Sequence, residues 1–167
     1  MKRSATPSLA LLSLTVSPAF AQLSTDLKRQ FDEAERRIVR LPPTTFSDLP
    51  GNVLRELQRR GCTIPQEAYT KKPNNVIKGE FAKPGQTDWA VLCSVKGVSS
   101  ILVFWNGSEK NPAAVAPMED RNYLEGIDEK QIGFGRSIAV VGRDYIMQHY
   151  QAYVGPKPPN RRPVGPS

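Results

Sequence analysis

The sequence predicts an α+β domain: an antiparallel sheet of four or five strands packed by two or three helices and stapled by one disulfide. Three observations carry this. The stretch VIKGEFAKPGQTDWAVLCSVKGVSSILVFW, residues 76–105, concentrates β-forming apolar residues between turn signals. Segments with apolar residues at three- and four-residue intervals lie before and after it. Cys62 and Cys93 are the only cysteines, one before the sheet and one within it.

The chain opens with Met1-Lys2-Arg3, an apolar run from Leu9 to Val16, and then Pro18-Ala19-Phe20-Ala21. A charged start, a short apolar core and a small-x-small site form a secretory signal peptide, residues 1–21, with cleavage after Ala21. The apolar run is shorter than the roughly 20 residues a membrane-spanning helix needs, and no later segment approaches that length. Periplasmic or extracellular residence is therefore expected. Cleavage would leave 146 of the 167 residues, a size that suits one domain, placed at residues 22–154.

Removing Lys2 and Arg3 lowers the formal net charge from +7 to +5. The basic residues are dispersed rather than set on one element with aromatics interleaved, so no specific nucleic-acid partner is expected. A basic surface that meets an anionic envelope polymer, or a protein partner, is the expectation instead. Export into an oxidising compartment predicts that Cys62 and Cys93 pair. With a single histidine they are too few for a metal site, and no cofactor is expected.

Taken in order, Ser24-Thr25-Asp26 offers a cap to an amphipathic helix carrying Leu27, Phe31, Ala34, Ile38 and Leu41 inward. Glu33 and Arg37 stand four apart on its outer face, and Pro42-Pro43 ends it. Pro50 suits the first turn of a second, shorter helix with Asp48 as its cap and Val53, Leu54 and Leu57 as its apolar stripe. Arg59-Arg60-Gly61 closes that helix, glycine taking the left-handed position. Residues 63–75, with Pro65 and Pro73, read as an irregular connection that includes Lys71-Lys72.

Strands follow at 76–81, 87–95 and 98–105. Trp89, Val91, Cys93 and Val95 alternate with Ala90 and Leu92, so both faces of the second strand are apolar and the strand is central. Residues 112–117 suit a short edge strand, and Glu119 to Glu125 a helical turn bringing Tyr123 and Leu124 inward. IGFGRSIAVV, residues 132–141, predicts another strand, with Gly133 and Gly135 marking a bulge. Asp144 then caps a last helix whose Tyr145, Ile146, His149, Tyr150 and Tyr153 recur at helical spacing. Residues 155–167, GPKPPNRRPVGPS, form a Pro-rich basic tail without the apolar content to order it.

Gly79-Glu80-Phe81, followed by Gly85, Asp88, Trp89, Ala90 and Val91, resembles the turn and strand of FG-GAP and VCBS-type propeller blades over about fourteen residues. In those blades the turn carries calcium-binding aspartates; Ala82, Lys83, Pro84, Gly85 and Gln86 supply no carboxylate, so the metal function does not carry over. The resemblance implies a hairpin here. The combination of a helical start, G-C-x-I-P-Q from Gly61 to Gln66 and D-W-A-V-L-C from Asp88 to Cys93 also resembles small uncharacterised exported proteins of bacteria.

Catalytic candidates are few. His149 is the only histidine, so any nucleophilic triad must use it, and its tyrosine-bearing helix face points to a partly buried packing role. Glu80 and Asp88 flank one turn and form the best acid–base pair available. Gly133 and Gly135 lack the third glycine of a dinucleotide fingerprint. Trp89, Phe104 and Trp105 offer either an aromatic platform or core packing. The expectation is a non-enzymatic exported binding module of unknown partner. Its alternatives are a small hydrolase using His149 and an inhibitor of an envelope-directed enzyme such as a lysozyme.

Overall fold

The computed structural model describes residues 18–128 and 131–154. Most of the expected signal peptide and the whole of the 155–167 tail lie outside the described residues. A four-stranded antiparallel sheet in the order β3-β4-β5-β6 forms the centre, from β3 (Val76–Gly79), β4 (Asp88–Val95), β5 (Val98–Phe104) and β6 (Ala113–Glu119). Two two-stranded ribbons flank it: β1 (Arg40–Leu41) with β2 (Ile64–Pro65), and β7 (Leu124–Gly126) with β8 (Ile132–Phe134). Helices α1 (Pro18–Arg37), α2 (Gly51–Arg59) and α3 (Arg143–Val154) complete the described residues, with short 3-10 turns between elements. The α+β class and the antiparallel sheet are as the sequence predicts.

Both faces of β4 are covered, because its alternating side chains are apolar in each direction. Trp89, Val91 and Cys93, with Leu102 and Phe104 opposite on β5, pack on Val53 and Leu57 of α2 and on Leu49, Cys62 and Ile64. Leu92 instead faces a second core made with Ala34 of α1, Ile38, Leu124 and Phe134. Aromatic packing therefore explains Trp89 and Phe104, both buried. The disulfide Cys62–Cys93, with a Cα–Cα distance of 5.2 Å, ties the end of α2 to β4. Beside it Thr63 and Ser94 exchange both backbone hydrogen bonds, at 2.9 and 2.8 Å.

Several local expectations need correction. Helix α1 runs through Ser24-Thr25-Asp26, which therefore do not cap it, and ends at Arg37 rather than at the prolines. Arg40-Leu41 leave the helix because they pair with Ile64-Pro65 and because Arg40 reaches the buried Asp120, where Nη2 and Oδ2 are 2.8 Å apart. Ile38 stays buried just past the helix end. In place of a Glu33–Arg37 pair, Arg121 bridges Asp32 at 2.6 Å and Glu35 at 2.8 Å, fastening α1 to the turn after β6. Pro50, not Asp48, holds the cap position of α2, and no side chain caps it.

Only Ile132–Phe134 of the expected 132–141 strand is a strand. Beyond it a backbone bond remains, from the Gly135 amide to the Tyr123 carbonyl at 2.8 Å, and side chains then take over: the Ile138 amide donates to Asn75 Oδ1, and Asn75 Nδ2 donates to the carbonyls of Pro65 and Arg136. Nor do Gly133 and Gly135 form a bulge, since β7 and β8 pair in regular register. They are small for another reason. A Cβ on Gly133 would lie 2.6 Å from that of Ala68, and one on Gly135 would collide with the Glu125 carboxylate. The irregularity in the sheet falls instead between Ser99 and Ile101, opposite Ala116, whose φ is +51°. On the edge strand β6 this shift and Pro117 discourage pairing with another chain.

Helix α2 carries a charge cluster with a pH consequence. The Glu56 carboxylate accepts hydrogen bonds from Arg59 at 2.7 and 2.8 Å and from Arg60 at 2.7 Å. The Arg59 bonds first, then the Arg60 bond, lower its pKa from 4.5 to about 2. A carboxylate depressed in the folded state stabilises it fully above the ordinary value and loses that contribution as pH falls through the folded one. Melting curves of wild type and Glu56→Gln should therefore be separated by a small gap at neutral pH that closes between pH 4.5 and about 2. A gap that stays constant through that window would rule this contribution out.

Candidate functional site

The sequence-derived catalytic candidates are dispersed. His149 lies exposed on α3, stacked at 3.9 Å on Tyr145, with Nδ1 2.9 Å from the Tyr145 carbonyl. Its expected partly buried packing role is not what the structure gives: Tyr145 and Ile146 on the same helix are each 53% exposed, because α3 does not bring that face onto the sheet. Among the described residues no hydrogen bond or ion pair joins a carboxylate to this imidazole.

Glu80 and Asp88 are also separated in character. Glu80 is exposed, whereas Asp88 is fully buried. Asp88 Oδ2 accepts the amides of Phe81 and Ala82, each at 2.9 Å, and Oδ1 accepts the Asn106 amide at 2.8 Å and Gln86 Nε2 at 2.6 Å. Burial pushes this carboxyl up, but the hydrogen bonds from Gln86, Asn106, Ala82 and Phe81 together outweigh it and hold the group below its ordinary value. A carboxylate so saturated clasps the β3–β4 turn to the end of β5. It is a poor proton acceptor near neutral pH.

A second polar cluster was not foreseen. Asp120, fully buried, receives Arg40 on Oδ2 and the Ser94 hydroxyl on the same oxygen at 2.6 Å, while Oδ1 has no partner. Ser94 is 1% exposed, so this serine–carboxylate pair faces no solvent from which a substrate would enter. Arg136, 6% exposed, donates to the Ser99 carbonyl and hydroxyl and to the Ala116 carbonyl, with its guanidinium 4.5 Å from the Tyr123 ring centre. These groups join β5, β6 and the segment after β8. Sequence periodicity does not register such contacts, because isolated polar residues in strands and loops read as surface.

What the fold does assemble is a cleft of about 550 Å³ between the C-terminal half of α1, the 66–73 loop and β8. The loop is fixed to β8 by the Ala68 amide donating to the Phe134 carbonyl at 2.8 Å, and to itself through Gln66, whose amide oxygen accepts the Asn74 backbone N–H at 2.8 Å. Ala34, Ile38, Ile132 and Phe134 supply apolar wall. Arg37, Lys71 and Lys72, all exposed, stand on its rim, and among the described residues none of them forms an ion pair. Glu67 is the sole carboxylate on the lining among the described residues, and Asn74 donates to it at 3.4 Å. The sequence signal was the Lys71-Lys72 pair in an irregular connection; its meeting with Arg37 required the tertiary fold.

The second face of the sheet carries a shallower apolar trough of about 420 Å³ along Ile77, Ala90, Val103 and Trp105, bordered by residues 137–139. Trp105 thus lines a surface while Trp89 is core. Among the described residues, no group of three or more histidine, cysteine, aspartate or glutamate side chains stands where it would hold a metal ion, and no helix is long and apolar enough to cross a membrane. Compared with models of protein families, with curated proteins and with solved structures, the chain matches none.

Proposed function

We propose that this protein is an exported, non-enzymatic binding module whose ligand site is the cleft between α1, the 66–73 loop and β8. The observation that carries the reading is the composition of that cleft: an apolar wall of binding-site size under a rim of cations that form no ion pair among the described residues. Support also comes from what the polar residues elsewhere are doing. Asp88 and Asp120 are engaged in holding strands together, and His149 stands exposed on α3.

Export remains part of the proposal, drawn from the charged start, the apolar run and Ala19-Phe20-Ala21. Among the described side chains of α1, those that reach the core are Phe31, Ala34 and the adjoining Ile38, all well past Ala21. Cleavage after Ala21 would leave that packing intact.

The experiment is retention of small molecules from an envelope extract by the immobilised protein, with the bound fraction identified by mass spectrometry. Ala68 is exposed and lines the cleft, so Ala68→Trp should block it without entering the core and abolish retention. His149→Gln should fold, melt and retain as wild type does. Retention that survives Ala68→Trp sinks the cleft assignment. Conversion of a retained compound to a hydrolysis product, lost by a factor of about a hundred in His149→Gln, would replace the binding reading by the hydrolase.

A further inference from the structure

We infer that the cleft takes a single-chain amphiphile with an anionic head group, its tail along Ala34, Ile38 and Phe134 and its head among Arg37, Lys71 and Lys72. This rests on the cleft being the binding site and specifies the chemical class of its ligand.

Gln66, the buried amide on the lining, is fully used: Nε2 donates to the carbonyls of Ile64 and Asn74, and Oε1 accepts the Asn74 amide. The Ala68 amide and the Phe134 carbonyl at the β8 side are spent on each other. Thr70 and Gln131 add polar groups to the lining, but both are exposed, and Thr70 is already bonded to Glu67 and Asn74. Along Ala34, Ile38 and Phe134 the unpaired groups of a sugar, a nucleoside or a polar peptide would be desolvated at a cost. An apolar chain leaves nothing unpaired and gains by removing the wall from water.

At the rim the balance reverses. Among the described lining residues three cations face one carboxylate, and that carboxylate already accepts a hydrogen bond from Asn74. Like charges brought together at one opening repel, and an anion set between them relieves that repulsion while exchanging its hydration for charge-assisted hydrogen bonds. A cationic amphiphile would instead add to it. Apolar wall and cationic mouth are complementary to two ends of one molecule, and an unbranched tail ending in an anion has both.

The probe is laurate, measured by isothermal titration with the full mature chain, against neutral methyl laurate and cationic dodecyltrimethylammonium as length-matched controls. Laurate should bind at least tenfold more tightly than either. The variant Lys71→Glu/Lys72→Glu changes two exposed side chains that form no ion pair among the described residues, so it should fold normally and weaken laurate about tenfold or more, with methyl laurate unaffected. Laurate binding should also weaken with added salt. Equal binding of laurate and its ester, unchanged in the double variant, would overturn the anionic-head assignment and leave the cleft standing as an apolar site. Absence of laurate binding overturns the inference as well; if extract molecules are still retained in an Ala68→Trp-sensitive way, the binding-module reading survives it, and if they are not, both fail.

Discussion

Asp88→Ala is expected to destabilise the protein by about 3 to 4 kcal/mol, read from urea unfolding. The substitution leaves the amides of Phe81, Ala82 and Asn106 and the Gln86 side chain without their acceptor, and it opens a space beside Trp89 at the start of the central strand. Each unsatisfied buried donor costs about 1 to 3 kcal/mol; the Asn106 end of the clasp is exposed and can turn to water, which keeps the total below the sum. Asp88→Asn fills the space but presents an amide NH2 to donors that need an acceptor, so it should recover only part of the loss. The wild-type contribution carries a pH sign too. Because the folded carboxyl sits below its ordinary 3.8, its stabilisation is complete above that value and disappears as pH falls past the folded pKa. A loss of less than 1 kcal/mol for Asp88→Ala would show that the clasp is incidental, and would return Asp88 to the pool of groups free to do chemistry.

Replacing both cysteines by alanine should cost a similar amount, about 3 to 4 kcal/mol on the chain-entropy estimate, since the bond closes a loop with a sequence separation of 31. Both residues are nearly solvent-free among Val53, Leu57 and Val91, so truncation removes core contacts as well. Thermal melts of wild type with and without reductant, beside the double variant, provide the measurement. The reduced wild type should fall close to the variant, and adding reductant to the variant should change nothing. An oxidised and a reduced protein that melt together would mean that the Thr63–Ser94 bridge beside the bond already holds α2 in place.

The central part of this fold was legible because Trp89 to Cys93 on β4 and Ile101 to Phe104 on β5 are unbroken apolar runs that cover both faces, a pattern with few other solutions. Gly61 at the end of α2 was equally plain, its φ of +70° demanding the residue that is there. The failures share one cause. Arg40, Asn75 and Arg136 determine local backbone course through single long-range side-chain bonds, to Asp120, to Pro65 and Ile138, and to Ser99 and Ala116. Such bonds leave no period in the sequence. They end the first helix at Arg37, ahead of Leu41, and leave most of the 132–141 stretch outside any strand. The candidate site was illegible for a related reason: Arg37 and Lys71-Lys72 stand more than thirty residues apart and meet only because the loop holding the lysines is fastened to β8 beside α1.

Strand β4 lies between partners along its length, with β5 on one side and, on the other, β3, then the Asn75 carbonyl accepting the Leu92 amide, then Thr63. Asp88 to Ser94 are all buried. In a molecule that opens piecemeal, these amides are the last to meet solvent, reached only when sheet, disulfide loop and both cores give way together. The exposed residues 143–146 of α3 and 25–30 of α1 sit at the other end of that hierarchy, with few buried contacts to hold them while β4 keeps its hydrogens. The cleft lies between these extremes: its wall residues Ala34, Ile38 and Phe134 share a core with Leu92 of β4, while its rim of Arg37, Lys71 and Lys72 stands in solvent.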